Sequence, residues 1–106
     1  MNKLKKVIGN KLYDTEKAEV LHSWSYSYPD DFKFRLKVLY RTAKGNYFIY
    51  HDGGPMTDMA ISVDNNTTSG SRKIEEIDED EAFEFLKEHD GDELLIELFP
   101  EKLEEA

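Results

Sequence analysis

Cysteine is absent from this 106-residue chain. Disulfide frameworks, thiolate metal sites and cysteine nucleophiles are therefore excluded, and an oxidising compartment offers the molecule nothing. Long apolar runs are absent too. The basic start, Met1-Asn2-Lys3-Leu4-Lys5-Lys6, is not followed by the apolar stretch of a secretory signal, so the expected location is the cytosol. Proline occurs three times and glycine six, too sparsely for a collagen-like or low-complexity chain. Missing as well are GxxxxGK[ST], GxGxxG, GxSxG, HExxH and the EF-hand pattern. Ser69-Gly70-Ser71 and Gly53-Gly54-Pro55 thus read as turns, and neither a cofactor nor a metal is expected.

What the chain has in abundance is negative charge and aromatic rings. Asp and Glu number 23 against 14 Lys and Arg, a formal charge of −9, while Phe, Tyr and Trp make up 12 %. That aromatic content belongs to a chain that folds, and the length suits one domain spanning 1–106. The charge is uneven. Residues 1–71 hold ten basic and eight acidic side chains, net +2, whereas residues 72–106 hold four and fifteen, net −11. A domain so divided has one strongly negative face if its last third packs as a unit.

Residues 1–71 read mainly as β-structure and residues 72–106 as mainly helical. Alternation over Lys17–Tyr28 places Ala18, Val20, His22, Trp24, Tyr26 and Tyr28 on one side. Before it, Lys5–Tyr13 turns about Gly9-Asn10, and Asp14–Lys17 leads into the next strand. Phe32–Arg41 alternates again, with Phe32, Phe34, Leu36, Val38 and Tyr40 opposing Lys33, Arg35, Lys37, Leu39 and Arg41. Thr42–Asn46 returns the chain into Tyr47–His51, completing a second hairpin. Met59–Val63 fits a short edge strand or a helical turn equally, and Asp64–Ser71 reads as a polar surface loop. Ile74 and Ile77 suit a brief strand. Asp78 with Glu81 has the capping-box spacing, opening a helix that Asp90-Gly91 stops; a second should bury Leu94, Leu95, Leu98 and Phe99 before Pro100. The expectation is an α+β fold: an antiparallel sheet of four to five strands from two hairpins, with two carboxy-terminal helices packed on one face. Trp24, Phe34, Val38, Phe48, Phe83, Leu86, Leu95 and Leu98 are the expected core.

Two surfaces carry functional expectations. The first is acidic: Glu75, Glu76, Asp78, Glu79, Asp80, Glu81, Glu84 and Glu88 put many carboxylates on a small area, more than capping requires. Such a patch can steer onto a basic groove and occupy it in place of a phosphate backbone. The second is cationic: Lys33, Arg35, Lys37 and Arg41 recur at alternate strand positions, about 7 Å apart, which is suited to following a nucleic-acid strand with Tyr47 or His51 stacking beside it. Histidines His22, His51 and His89 lie on different expected elements and read as structural or solvent-facing, His22 as a hydrogen-bonded core residue beside Trp24. No nucleophile and base pairing emerges, so a non-enzymatic protein is expected.

Several stretches carry a resemblance: Lys11-Leu12-Tyr13-Asp14-Thr15-Glu16-Lys17-Ala18, Leu39-Tyr40-Arg41-Thr42-Ala43-Lys44-Gly45-Asn46-Tyr47-Phe48, Gly53-Gly54-Pro55-Met56, Ser69-Gly70-Ser71 and Glu81-Ala82. In that order they resemble a mostly uncharacterised group of small proteins from Gram-positive plasmids, phages and other mobile elements. Size, acidity and the missing catalytic motif also resemble anti-CRISPR inhibitors encoded on such elements. The resemblance implies a host protein as partner, a type II CRISPR effector nuclease or its guide complex, blocked in guide or DNA binding. The alternative is a small nucleic-acid-binding accessory or regulatory protein using the basic hairpin, without a membrane in either case.

Overall fold

Two hydrophobic repeats, one of period two and one of 3.6, divide the chain as its elements do. The computed structural model describes residues 3–106, so Met1 and Asn2 of the basic start lie outside it. A first hairpin comprises β1 (Lys5–Ile8) and β2 (Lys11–Asp14). The main sheet is antiparallel, in the order β3 (Glu19–Tyr26), β4 (Arg35–Arg41), β5 (Tyr47–Gly53) and β8 (Ser71–Ile77). Between β5 and β8 the chain makes a two-stranded arm, β6 (Ile61–Asp64) and β7 (Thr67–Ser69). Two helices follow, α1 (Glu79–Glu88) and α2 (Asp92–Leu98), then a 3-10 turn at Pro100–Lys102. The architecture is the expected α+β, with two carboxy-terminal helices.

Both faces of β4–β5 are covered, which sequence alternation alone did not anticipate. On one face Leu39 and Ile49 meet Ala82, Phe85, Leu86, Leu95 and Phe99 of the helical segment. On the other, Val38, Tyr40, Phe48, Tyr50 and Ile74 are closed by Tyr13, Ile8 and Leu4. Phe48 stacks on Tyr40 at 4.9 Å between centroids and meets Tyr13 edge-on at 5.4 Å. Such pairs add about 0.5–1.5 kcal/mol each beyond the burial of their area. The β1–β2 hairpin is thus a lid on the back of the sheet rather than part of it. Val38, Phe48, Leu86 and Leu95 are buried as expected, while Trp24, Phe34, Phe83 and Leu98 are only half-buried.

Three local expectations are corrected. The register shifts between Val20 and His22, so Val20 pairs with Tyr40 on the hairpin side, whereas His22, Trp24 and Tyr26 oppose Leu39, Lys37 and Arg35 on the helix side. A bulge at Leu21 moves Val20 off the face it was expected to share, leaving it 56 % exposed. Second, the polar stretch 64–71 is not all loop: Thr67–Ser69 pairs with Ile61, Ser62 and Asp64 around a turn in which Asn66 N donates to Asp64 Oδ1 at 2.9 Å. That pairing also makes the ambiguous 59–63 segment a strand from Ile61. Third, the brief strand expected at Ile74–Ile77 is seven residues long, because it pairs fully with β5.

Helix boundaries follow the capping chemistry. Glu81 N donates to Asp78 Oδ1 at 2.8 Å and Asp78 N to Glu81 Oε1 at 3.0 Å, a reciprocal box. At the far end Asp90 takes the left-handed conformation, φ 60, and Gly91 N closes onto Leu86 O at 2.8 Å. The glycine there serves packing: a Cβ on Gly91 would lie 2.5 Å from Leu86 Cδ2. Gly70 is held more tightly, because a Cβ would fall on the Gly53 carbonyl oxygen and 2.9 Å from Gly54 Cα, both backbone. We expect Gly70→Ala to cost about 1–3 kcal/mol in urea unfolding by prising β8 from β5; an unchanged midpoint would show that the contact relaxes freely.

Candidate functional site

Where β8 hands over to α1, the helix crosses the sheet and leaves an open groove of about 390 Å³. Its floor is Ile49, Ile77 and Phe85, with Lys37 and His51. Its rim carries Glu75, Asp78, Asp80, Glu81, Glu84 and Glu88, six of the eight acids singled out in the sequence. The other two go elsewhere. Glu76 faces the opposite side of β8, where its Oε2 accepts from the Tyr13 hydroxyl at 2.9 Å. Burial and that carboxylate together raise the Tyr13 pKa. Glu79 is exposed in the first turn of α1.

Not all of the rim is free charge. Asp80 accepts from Lys102 Nζ at 2.9 Å, which raises the lysine pKa and ties the 3-10 turn to α1. Lys87 stands 3.9 Å from Glu84, and Asp78 and Glu81 cap one another's amides. Among the described residues, Glu79 and Glu88 have no cation within ion-pair distance. None of the described His, Asp and Glu form a group of three or more that could hold a metal ion.

The cationic stripe does not exist as one surface. Lys33 lies in the turn before β4; Arg35 is only 7 % exposed; Lys37 is half-buried, its Nζ 5.6 Å from the Trp24 ring; Arg41 donates to Glu19 Oε1 at 3.1 Å. The reason is the strand order. Strand β4 sits between β3 and β5 with both faces covered, so the side expected to face water faces the helices and the 54–60 loop instead. His51, expected to be available for stacking, is also 7 % exposed.

Arg35 and His51 form the most consequential polar contact in the sheet. All five guanidinium N–H groups have acceptors: Nε and Nη2 fork onto Asp58 at 2.7 and 3.3 Å, Nη1 donates to the Leu36 and Asp52 carbonyls, and Nη2 donates to His51 Nδ1 at 2.8 Å. With Nδ1 accepting, the imidazole proton sits on Nε2 and is donated to Glu75 Oε1 at 2.8 Å. A chain of contacts therefore runs from Asp58 in the loop, through the sheet, to the groove rim. Burial chiefly, then the Arg35 and Lys73 charges, push the His51 pKa below its ordinary 6.5 despite Glu75. His22 is hydrogen-bonded as expected, with Nε2 2.6 Å from the His89 carbonyl, but it is half-buried rather than part of the core. His89 itself stacks on Phe85 at 4.2 Å and meets Trp24 edge-on at 5.2 Å.

Sequence reading found the acids and named Lys37, Arg35 and His51 for a cationic surface, but missed Phe85 and His89 in the groove and the contact between Arg35 and His51. One signal was available. The Thr42–Asn46 connection fixes the β4–β5 register, which sets Lys37 opposite His51 and Arg35 opposite Gly53, making Arg35 and His51 diagonal neighbours on one face. No protein-family description, no curated protein and no solved structure matches the chain.

Two outcomes follow from the buried pair. Arg35→Ala removes the donor that holds His51 Nδ1 and should lower stability by about 3 kcal/mol, read from urea midpoints; a loss below about 1 kcal/mol would mean water replaces the guanidinium. Because the folded pKa of His51 is depressed, the unfolded chain binds the proton first. The stability due to neutral His51 is complete above pH 6.5 and drains as pH falls from there through the folded value. His51→Gln should flatten that slope between neutral and mildly acidic pH; an unchanged slope would assign it to other groups.

Proposed function

We propose that this chain is a non-enzymatic interaction protein of a mobile element that occupies a basic nucleic-acid-binding groove of a host enzyme, namely a type II CRISPR effector nuclease or its guide complex. The observation that carries the reading is the convergence of six acids on one groove rim beside α1. Glu81, Glu84 and Glu88 fall along one helical stripe, about 4.5 and 6 Å apart in axial rise. That density approaches, without reaching, the one charge per about 3.4 Å of a DNA strand. Partner-bound Arg and Lys could lay aliphatic stems on Ile49, Ile77 and Phe85 while their heads meet the rim. Of the acids left without cations, Glu88 lies on the rim, and Glu79 stands exposed in the first turn of α1 outside it. The nuclease as target comes from the resemblance to mobile-element inhibitors.

The nucleic-acid-binding alternative is less favoured, since Arg35 is buried against Asp58 and His51 and Arg41 is paired with Glu19. The test is a DNA-cleavage assay with a type II nuclease, adding the protein before guide, after guide or after target. Protection is expected in at least one order. Reversing the exposed Glu79, Glu84 and Glu88 to Lys should weaken it at least about tenfold, with the circular dichroism unchanged. Equal protection by the reversed protein would sink the electrostatic reading, and no protection in any order would sink the nuclease as target.

A further inference from the structure

The two edges of the main sheet are built differently. Edge strand β8 carries Arg72, Lys73, Glu75 and Glu76 within seven residues. Charge at that density is the usual means by which an edge avoids pairing with another chain. Edge strand β3 is far less protected. Its one formal charge is Glu19 at the start, paired with Arg41, and the stretch from Val20 through its end at Tyr26 and on to Tyr28 reads Val-Leu-His-Ser-Trp-Ser-Tyr-Ser-Tyr, with neither a formal charge nor a proline, in a chain that is 35 % charged. The bulge at Leu21 interrupts only its first part, and His22–Tyr26 stays in regular register with β4.

We propose that this edge pairs with the same edge of a second copy, antiparallel about a two-fold axis through Trp24. That register sets Trp24 against Trp24, His22 against Tyr26 and Ser23 against Ser25, and it uses the whole regular stretch. A two-fold one residue earlier would bring the bulged Leu21 into the ladder. Side chains divide cleanly. His22, Trp24 and Tyr26 share the helix side, so the join lays a row of rings across one face, where aromatic cross-strand pairs stabilise a ladder. Ser23 and Ser25, both exposed, meet on the other. Tyr26, 57 % exposed in the monomer, gains cover. The contact is isologous and closed, giving one eight-stranded sheet rather than a fibre.

Charge sets the conditions. Asp90, Asp92 and Glu93 lie against Leu21 and His22 at this edge. Two copies bring those acids toward each other, so association strengthens as salt screens them. The interface is small, and it operates whether or not the acidic groove takes a partner.

Sedimentation equilibrium tests this on the full chain, from micromolar to near-millimolar protein at low and high salt. The wild type should rise from 12.4 kDa toward twice that mass, further at high salt, and amide exchange over residues 22–26 should slow with concentration. Ser23→Lys with Ser25→Lys should remain monomeric while keeping its circular dichroism; if the double variant loses its fold, Ser25→Lys alone serves the same reading. A wild type monomeric under every condition would overturn the proposal and leave the edge to an extended segment of another protein. Dimerisation of the lysine variant equal to the wild type would overturn it by placing the contact elsewhere.

Discussion

Coverage of the β4–β5 hairpin on both faces is the constraint on which the remaining structure depends. A strand pair buried on two sides needs apolar residues at odd and even positions, and Val38, Leu39, Tyr40 and Phe48, Ile49, Tyr50 supply them. It also needs a partner for every polar group that remains. The helices reach Leu39 and Ile49 but not the far end of the pair. There, Arg35 and His51 would be stranded without the 54–60 loop, which contributes Asp58 to the guanidinium and buries Met59. The long excursion between β5 and β8 is thus required by the sheet's own chemistry rather than added to it.

Much of the architecture was legible because local signals agreed with one another. The β4–β5 connection, the capping box at Asp78 and the Asp90-Gly91 stop each rest on contacts close in sequence. The largest failure has a plain physical origin. Period-two alternation tells which residues share a face but not whether that face meets water. Lys33, Arg35, Lys37 and Arg41 therefore read as a solvent-facing stripe, when an arginine with five acceptors and a lysine over an indole are as content inside as out. The bulge at Leu21 has no local marker, and the exposed Thr67–Ser69 strand has no apolar alternation to announce it, although threonine itself favours strands.

The candidate site was legible in composition and illegible in geometry. Fifteen acids in the last 35 residues announce a negative surface, yet which of them act together depends on β8 and its face alternation. Glu75 and Glu76 are neighbours in sequence and point to opposite sides of the sheet, one bonded to His51 and the other to Tyr13. Capping and ion pairing then remove Asp78, Asp80 and Glu81 from the freely available charge. What is left for a partner is a narrower set, disposed around an apolar floor.

Placement of charge also explains how so acidic a chain keeps a well-ordered sheet. The acids concentrate on β8, α1 and the approach to α2, where each meets water, a helix amino terminus or a nearby base. Spread along β3 they would have opposed the ladder they belong to; confined to β8 they protect that edge instead. Every charge moved to one side is one withheld from the other, so the concentration that builds the acidic groove is the same one that leaves β3 uncharged beyond Glu19. Groove and edge are two results of a single distribution of charge over a sheet with two ends.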